Sequence, residues 1–442
     1  MFKLLMSMSI PAMLSMLVYA LYNIVDSIFV AQLGEDALTA VSLAFPIQML
    51  MISVAVGTGI GINSLVARRL GEGNKKDADS AATHGIVLGA ISTLVFVILG
   101  LTIVQPFFEM YSKDKDVILM GVQYLSTVMI FSVGCFVEIN IEKTLQATGN
   151  MMLPMVFMLV GGITNLILDP LFIFGIGIFP ELGVLGAGVA TVIGQIFSLI
   201  TATIVLITKK HDVKISFKNF KLNGKTIKDI YAVGVPSIIM QSISSVMILG
   251  LNAILITFSE TAVSVLGVYF KLQSFVFMPV FGLMQGGMPI MGYNFGAKSK
   301  KRLMHCMKLC IITAGIIMVL GTLCFMIFAK ELLMMFNASN NMINIGQIAL
   351  RIICLSFIPA AFGIVVTSMF QAIGKGFHSM IISVLRQLVV LLPVAFALSF
   401  VSLDAVWWAF PISEVASLTL AIIFLIRITK RDINTLEKAI KK

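Results

Sequence analysis

Long apolar segments are the feature that most constrains how this chain can fold. Twelve stretches have the length, roughly 20 mostly apolar residues, that a helix needs to cross a bilayer. They show no period-two alternation, so we predict helices rather than the strands of a barrel. The stretches lie near residues 8–30, 39–66, 84–105, 118–142, 152–176, 185–207, 233–257, 262–292, 306–328, 346–370, 378–401 and 405–426.

The composition excludes several classes of protein. Of the 442 residues, 59% are hydrophobic and 12% are charged, whereas about 25% of the residues of a soluble protein are charged. Too few polar residues remain to cover a surface in water, which excludes a soluble enzyme and, despite the net charge of +10, a nucleic-acid-binding module. The 5 cysteines form no disulfide framework. No cleavage site follows the first apolar segment, so we expect it to be a span rather than a signal peptide.

The basic residues predict an orientation in the membrane. With the N-terminus in the cytoplasm, 25 of the 31 Lys and Arg residues lie in cytoplasmic segments and only three lie in outside loops. Positive residues concentrate on the cytoplasmic side of membrane proteins. We therefore expect both termini to be cytoplasmic and the surplus positive charge to contact membrane lipid.

The chain also contains an internal repeat. An offset of 225 residues matches many Pro, Gly and Gln positions without gaps, and further along an offset of 223 pairs Pro170 with Pro393. The pairs at 225 include Pro11 with Pro236, Phe45 with Phe270, Gln48 with Gln273, Gly57 with Gly282, Gly61 with Gly286, Gly71 with Gly296 and Gln146 with Gln371. Because each copy holds six helices, an even number, both copies enter the membrane in the same direction, as in parallel-repeat transporters.

These patterns predict an all-α membrane protein with twelve transmembrane helices in two six-helix bundles. The predicted lobes are 1–207 and 233–442, and a basic cytoplasmic linker at 208–232 joins them. Apolar residues alternate with the lysines of the linker, which suits a segment on the lipid surface; a plain flexible linker fits equally well. Two facing bundles would enclose a cavity, and rocking them would give alternating access.

Charged side chains inside the spans are the first candidates for function, because a charge in the bilayer centre costs roughly 2.5–3.5 kcal/mol even on gentle scales. Asp26 lies deep in the first segment. Tyr22, Asn23 and Asp26 share one helical face. A carboxylate at this depth is predicted to titrate or to bind a cation; a hydrogen bond to a neighbouring helix is the structural alternative.

The fifth segment supplies a second polar face, because Asn165 and Asp169 are four residues apart. Thr191 in the sixth segment would add a hydroxyl. Hard cations such as Na⁺ bind carboxylate, amide and hydroxyl oxygens. Two close carboxylates do not both ionise at low cost, so Asp26 and Asp169 would equally hold a proton between them. The residues therefore predict an H⁺ or Na⁺ site, and we favour protons.

Several short motifs follow one another along almost the whole chain: SIPAMLSMLVYALYNIVDSIFVAQLG, ARRLGEGN, LQATGN, NLILDPLFIFG, GAGVAT, YNFGAKS, FQAIGKG and WWAFPISE. In this order and spacing they resemble the multidrug and toxic compound extrusion (MATE) family, in particular its bacterial MepA-like branch. The resemblance implies a drug antiporter of the bacterial cytoplasmic membrane. It also implies that the cation site of the N-terminal lobe consists of Asp26, Asn165, Asp169 and Thr191.

The resemblance gives Pro11 a role as a hinge of the first helix, since it stands 15 residues before Asp26; a proline kink that serves packing is the other interpretation. The repeat has Leu251 at the position of Asp26, so we place ion coupling in the first lobe. Other polar residues of the spans would line a substrate cavity: Gln48, Glu138, Lys271, Gln273, Gln285 and Glu414. Glu138 stands near Asn140 and Glu142, and for this group we favour a local ion pair with Lys143 over a substrate site. For Lys271, the alternative is an ion pair with an acid of the other lobe.

Three functions compete on these grounds. The first is a secondary antiporter that exports lipophilic, often cationic compounds in exchange for H⁺ or Na⁺, and it fits best. The second is a flippase for a lipid-linked or amphiphilic substrate, against which the twelve spans and the two intramembrane aspartates argue. The third is an intramembrane enzyme, but the sequence contains no HExxH, paired-Asp or nucleophile-elbow motif.

The same argument predicts the partners. We expect no cofactor, no metal other than Na⁺ at the cation site and no nucleic acid. The small-molecule partners would be lipophilic cations, for which the 29 Met and 32 Phe residues would provide an adaptable apolar surface. Membrane lipid surrounds the chain, and we expect a monomer.

Overall fold

The fold was obtained as a computed structural model that describes residues 1–218, 220–336 and 338–436, and for residues 22–24, 26, 27 and 31 only the backbone. The described residues form helices and turns and contain no strand, which confirms the predicted all-α class. The helices of the first half are α1 (Phe2–Ala31), α2 (Glu35–Gly71), α3 (Lys75–Thr102), α4 (Val104–Tyr111), α5 (Lys115–Ile130), α6 (Val133–Ala147), α7 (Met152–Phe174) and α8 (Val184–Thr208).

The second half begins within α9, and π-helical or 3₁₀ segments interrupt its later spans at Cys354–Ser356, Leu385–Leu391 and Thr429–Ile433. Its helices are α9 (Gly224–Leu255), α10 (Glu260–Gly296), α11 (Lys300–Ile327), α12 (Ala329–Met334), α13 (Asn340–Ile353), α14 (Phe357–Ala372), α15 (Gly376–Val384), α16 (Leu392–Ser399), α17 (Leu403–Val406), α18 (Ala409–Ile428) and α19 (Asn434–Leu436).

The described part of the chain contains 11 helices that are long and apolar enough to cross a membrane, and 12 if one bent pair counts as a single span. The bent pair is α5 with α6, at the place where the sequence predicts one continuous helix over 118–142. The two helices meet at an angle of 44°. Both pack closely on α8 but at different points: a Cβ on Gly134 would lie 2.8 Å from the backbone of Gln195, and one on Gly188 would lie 3.3 Å from Tyr124.

The chain forms two compact units. The first-half unit consists of Leu14–Leu70 and Asn74–Ile238, and the second-half unit consists of Met1–Met13, Gly71–Gly73 and Ile239–Lys442. The predicted lobe boundaries at 207 and 233 stay a prediction.

The first-half unit has its apolar core around α4, α5 and α6. Phe108 and Phe136 are fully buried there, and Phe96 packs on Phe136 with ring centroids 5.1 Å apart. Gly121 allows the close approach of α4 to α5, because an added Cβ would overlap the ring of Phe108.

The second-half unit has an aromatic core. The ring of Phe357 contacts the edges of Phe277 and Phe325 at centroid distances of 5.2 and 5.1 Å. Tyr269 packs against Phe410 at 5.6 Å. Because lipid removes much of the hydrophobic driving force between helices, close packing of this kind holds a membrane bundle together.

Part of the predicted linker is ordered against α3 inside the first-half unit. Three backbone N–H groups of the linker donate to α3 side chains: Lys214 to Asp79 (2.7 Å), Ser216 to Thr83 (3.3 Å) and Asn223 to His84 (2.9 Å). The buried ring of His84 also packs against Phe220, with centroids 4.8 Å apart. These contacts hold part of the linker in place, whereas the sequence was equally compatible with a plain flexible linker.

Candidate functional site

The first-half unit positions its polar cluster through a close contact between two helices. α7 and α8 form an antiparallel hairpin, and α7 ends at Gly175, whose φ of +66° gives the left-handed cap that glycine favours. At the crossing, a Cβ on Gly194 would lie 2.7 Å from the carbonyl oxygen of Gly161. The two glycines therefore allow backbone contact, and side chains on either side of the crossing meet across the two helices.

Three of the four predicted coupling residues meet beside this crossing. Asn165 and Asp169 lie one turn apart on α7, and Thr191 faces them from α8. The Asn165 Nδ2 group donates to Asp169 Oδ1 and to Thr191 Oγ1, each at 3.3 Å. The exposed fractions are 2%, 0% and 9% for Asn165, Asp169 and Thr191, so the cluster lies inside the bundle.

The chemistry of the cluster suits a small hard cation or a proton. It combines a carboxylate, an amide and a hydroxyl, which are the oxygen ligands that hard cations prefer. The Oδ1 atom of Asn165 is buried and has no hydrogen-bond partner among the described residues. A buried acceptor in this condition costs free energy, and a bound cation or a water molecule would satisfy it.

The remaining residue of the predicted site, Asp26, lies on α1 together with Tyr22 and Asn23. The side chains of these three residues are outside the described part of the structure. Pro11 lies inside α1 as well, within the segment that belongs to the second-half unit. The hinge role of Pro11 stays a prediction.

The first half contains a second buried polar group, on α6. Lys143 donates to Glu142 Oε1 at 2.8 Å and to Gln146 Oε1 at 3.1 Å, and Gln146 Nε2 donates to Glu142 Oε1 at 2.7 Å. Glu138 is 8% exposed and forms no ion pair with a described residue. Of the acids near Lys143, Glu142 is therefore the one that it neutralises.

The other cavity candidates have different surroundings. Gln48 accepts a hydrogen bond from the hydroxyl of Tyr124 at 3.3 Å. Lys271 is exposed, and Gln273 and Gln285 are half-buried. Within the described residues, Lys271 forms no ion pair, so the predicted pairing with an acid is not seen there.

Glu414 pairs with a residue that sequence reasoning did not connect to it. Arg386 Nη1 lies 2.7 Å from Glu414 Oε1, and the side chains are 30% and 11% exposed. Arg386 stands in the π-helical turn Leu385–Leu391, next to Gln387, whose Oε1 accepts from Ser244 at 3.1 Å. A single arginine in an apolar segment indicates that a buried partner exists. It does not identify Glu414 as that partner, because Glu414 lies 28 residues further along the chain.

No group of three or more His, Cys, Asp or Glu residues in the described chain is arranged to hold a metal ion. The Asn165–Asp169–Thr191 cluster differs from such a site, since it contains one carboxylate and two neutral oxygen donors. Such a donor set fits a monovalent cation better than a transition metal, for which His and Cys are the common ligands.

Comparisons with known proteins agree with this architecture. A sequence model described as MatE matches the chain twice, at residues 11–171 and 236–397, and the two matches begin 225 residues apart, as the internal repeat predicts. The multidrug export protein MepA of Staphylococcus aureus is 25% identical over 430 residues, which cover 96% of this chain and 94% of MepA.

Two further relatives bear on substrate and fold. A protein of Shewanella oneidensis named FAD transporter is 25% identical over 399 residues, covering 89% of this chain and 87% of that protein. A solved structure described as the outward-facing conformation of a multidrug resistance MATE family transporter of the MOP superfamily superimposes with a TM-score of 0.92 at 27% identity. The superposition covers 99% of this chain and 97% of the other.

Proposed function

We propose, from the premise that this chain belongs to the MatE family, that it is a cation-coupled antiporter that exports lipophilic, often cationic compounds by alternating access. It is a multi-pass membrane transporter and not an enzyme. The observation that carries the proposed coupling is the buried cluster of Asn165, Asp169 and Thr191.

The cluster would couple ion movement to conformation through charge compensation. A carboxylate inside a bundle is costly when charged, and a bound H⁺ or Na⁺ removes that cost. If the outward-facing and inward-facing states differ in their affinity for the ion, ion binding shifts the balance between them. Asp26 on α1 completes the proposed site, with Tyr22 and Asn23 beside it, and Pro11 would allow α1 to bend as the site changes occupancy.

We favour protons as the coupling ion. Two carboxylates in one low-dielectric site share a proton readily, and Asn165 and Thr191 would allow Na⁺ to compete for the same oxygens. Purified protein in sodium-free proteoliposomes should export substrate in response to an imposed pH step, and added sodium should change the pH dependence. No response to the pH step, together with full activity under a sodium gradient alone, would reverse the choice of ion.

Substitution of Asp26 tests the site itself. Asp26→Asn keeps the shape of the side chain and removes its charge, so gradient-driven efflux should fall to background while substrate binding persists. Asp36→Asn, at an exposed acid in the first turn of α2, serves as the matched control and should transport normally. Full coupled efflux by a well-expressed Asp26→Asn protein would contradict the assignment.

We further propose that both termini are cytoplasmic, because 25 of 31 basic residues then lie on the cytoplasmic side, and that the transporter acts as a monomer in the bacterial cytoplasmic membrane. Reporter fusions at the two ends should both be active on the cytoplasmic side. A reporter active outside the cell would invert the topology.

A second candidate substrate follows from the relative named FAD transporter, which is 25% identical to this chain over 399 residues, whereas MepA is 25% identical over 430 residues. FAD is an anionic amphiphile, and its transport would be closer to the flippase alternative than to drug export. Efflux of lipophilic cations and of FAD should therefore be measured in the same proteoliposomes. We expect the cations to be exported and FAD to be retained, with Gln48, Glu138, Gln273 and Gln285 as residues whose substitution alters substrate range.

A further inference from the structure

One end of the second-half unit carries a small basic pocket outside the proposed transport site. The cavity measures about 130 Å³ and is lined by Lys375, His378, Arg427, Ile428, Arg431 and Asp432. Two chain segments build it. Gly374, with a φ of +81°, makes the turn between α14 and α15 that presents Lys375 and His378. The end of α18 and the π-helical turn Thr429–Ile433 present the other residues.

The pocket has an excess of positive charge. Three of its side chains are cationic and one is a carboxylate, which lies 3.6 Å from Lys375 Nζ. Arg427 and Arg431 are four residues apart, so they share a helix face, and neither forms an ion pair with a described residue. Two guanidinium groups that line the same pocket repel one another. An anion with several oxygens would accept their N–H groups and remove this repulsion.

The side chain of His378, which also lines the pocket, is held in place by two aromatic rings. The ring of His378 contacts the edges of Phe370 and Phe424, with centroid distances of 6.0 and 5.0 Å. Its Nδ1 atom is buried. The pocket therefore combines two exposed, adaptable guanidinium groups with a lysine and an imidazole that are anchored on the protein.

The surroundings of the pocket are apolar on one side. The turn of α18 just before Arg427 exposes Ile422, Ile423 and Ile426, and Phe377 is exposed next to His378. A free phosphate would find nothing to contact on this surface. A phospholipid would place its acyl chains against it and its phosphate in the basic pocket, and basic pockets at the ends of membrane helices are known to bind anionic head groups.

We propose that this pocket binds the phosphate of an anionic phospholipid through Lys375, His378, Arg427 and Arg431. The corresponding turn of the first half lacks the lysine. At the offset of 225, Asn150 stands where the second half has Lys375, and its Oδ1 accepts from the backbone N–H of Leu153. Asn150 therefore brings a neutral amide, and no cation, to that turn.

Lipid-dependent thermal stability of the purified full-length protein tests the proposal. Phosphatidylglycerol or cardiolipin should raise the midpoint of thermal unfolding in detergent by about 3 °C or more, because a ligand that binds only the folded state stabilises it. Phosphatidylcholine and inorganic phosphate at the same concentration should raise it by less than a third of that shift. An equal shift with inorganic phosphate would overturn the lipid assignment, and an equal shift with phosphatidylcholine would overturn the requirement for an anion.

Two double variants distinguish lipid binding in this pocket from a general attraction of anionic lipid to exposed basic residues. Arg427→Gln with Arg431→Gln should lose most of the lipid-induced shift. Lys209→Gln with Lys210→Gln removes the same charge from two exposed lysines that follow α8, and it should keep the shift. An unchanged shift in the arginine variant, or an equal loss in the lysine variant, contradicts the proposal. If the double arginine variant folds poorly, the amount of anionic lipid that co-purifies with two single variants is compared instead. Arg431→Gln should retain less lipid than Lys430→Gln, because Lys430 does not line the pocket. Equal amounts would contradict the proposal.

Discussion

Each half of the chain buries at least one carboxylate inside its membrane-spanning helices, and Asp169 and Glu414 differ in the group that donates a hydrogen bond to them. In the first half, Asp169 accepts from the neutral amide of Asn165 at 3.3 Å. In the second half, Glu414 accepts from the guanidinium of Arg386 at 2.7 Å. A guanidinium that belongs to the protein compensates a carboxylate permanently. A neutral amide adds a hydrogen bond to the carboxylate but no compensating charge, and the variants below test this contrast.

The repeat shows how far the two halves have diverged. At the offset of 223 that aligns Pro170 with Pro393, Leu388 and Leu392 occupy the positions that correspond to Asn165 and Asp169. The second half therefore has leucines where the first half has its polar face. Its own buried charge sits elsewhere, on the π-helical turn and on α18, so the two halves of a parallel repeat need not share a function.

The largest expected effect comes from Asp169→Asn. Because the substitution keeps the hydrogen-bonding shape and removes the charge, coupled efflux in proteoliposomes should fall to background while the protein still inserts and binds substrate. Glu414→Gln is the matched substitution in the other half and should leave ion coupling intact, with at most a change in drug range. Loss of coupling in Glu414→Gln alone would break the comparison between the halves.

The Arg386–Glu414 pair should matter for stability instead. Arg386→Gln leaves a largely buried carboxylate without its partner, and we expect a loss of about 2 kcal/mol after allowance for the partial exposure of the arginine. Adding Glu414→Gln to that variant should restore part of the loss. Thermal unfolding of the two single variants and the double variant measures the coupling energy; additive losses would mean that the pair contributes nothing.

A smaller effect is expected from Thr191→Val, which keeps the shape of the side chain and removes one hydroxyl oxygen. The loss of one hydrogen bond of about 1 kcal/mol should weaken coupling-ion affinity roughly tenfold or less, seen as a shift in the ion concentration that gives half-maximal efflux. Thr367→Val, a half-buried hydroxyl in the second half, is the control. An equal shift in the control would remove Thr191 from the site.

The smallest effect concerns the linker. The ring of His84 bonds the Ser80 carbonyl at 2.7 Å and the Asn223 N–H at 2.9 Å, so His84→Ala should free the linker at a cost of about 1 kcal/mol. Hydrogen exchange should rise in residues 213–223 and stay unchanged in α7 and α8. Unchanged exchange in the linker would mean that Asp79 and Thr83 hold it by themselves.

The sequence alone was sufficient for the helical class and the repeat. It also predicted that three polar residues of the candidate site lie close together, and their role in coupling stays a prediction. Asn165 and Asp169 could be paired because four residues make one helical turn, and Thr191 could be added because its helix follows directly. The bend between α5 and α6 could not be predicted. It accompanies close contacts of α5 and α6 with α8 at Gly188 and Gly134, and hydropathy carries no information about such contacts.

The sequence by itself determined the features that depend on local periodicity and composition. These are the segments that are apolar enough to cross a membrane, the positions at which they repeat, and the polar residues that share a helix face. Tertiary structure decided the pairing of Arg386 with Glu414, the docking of the linker on His84 and the basic pocket that combines Lys375 with Arg431. Each of these joins residues far apart in the chain. The physical reason is that the burial of a charged side chain and the compensation of its charge depend on the residues around it in space. The packing of the helices determines which residues these are.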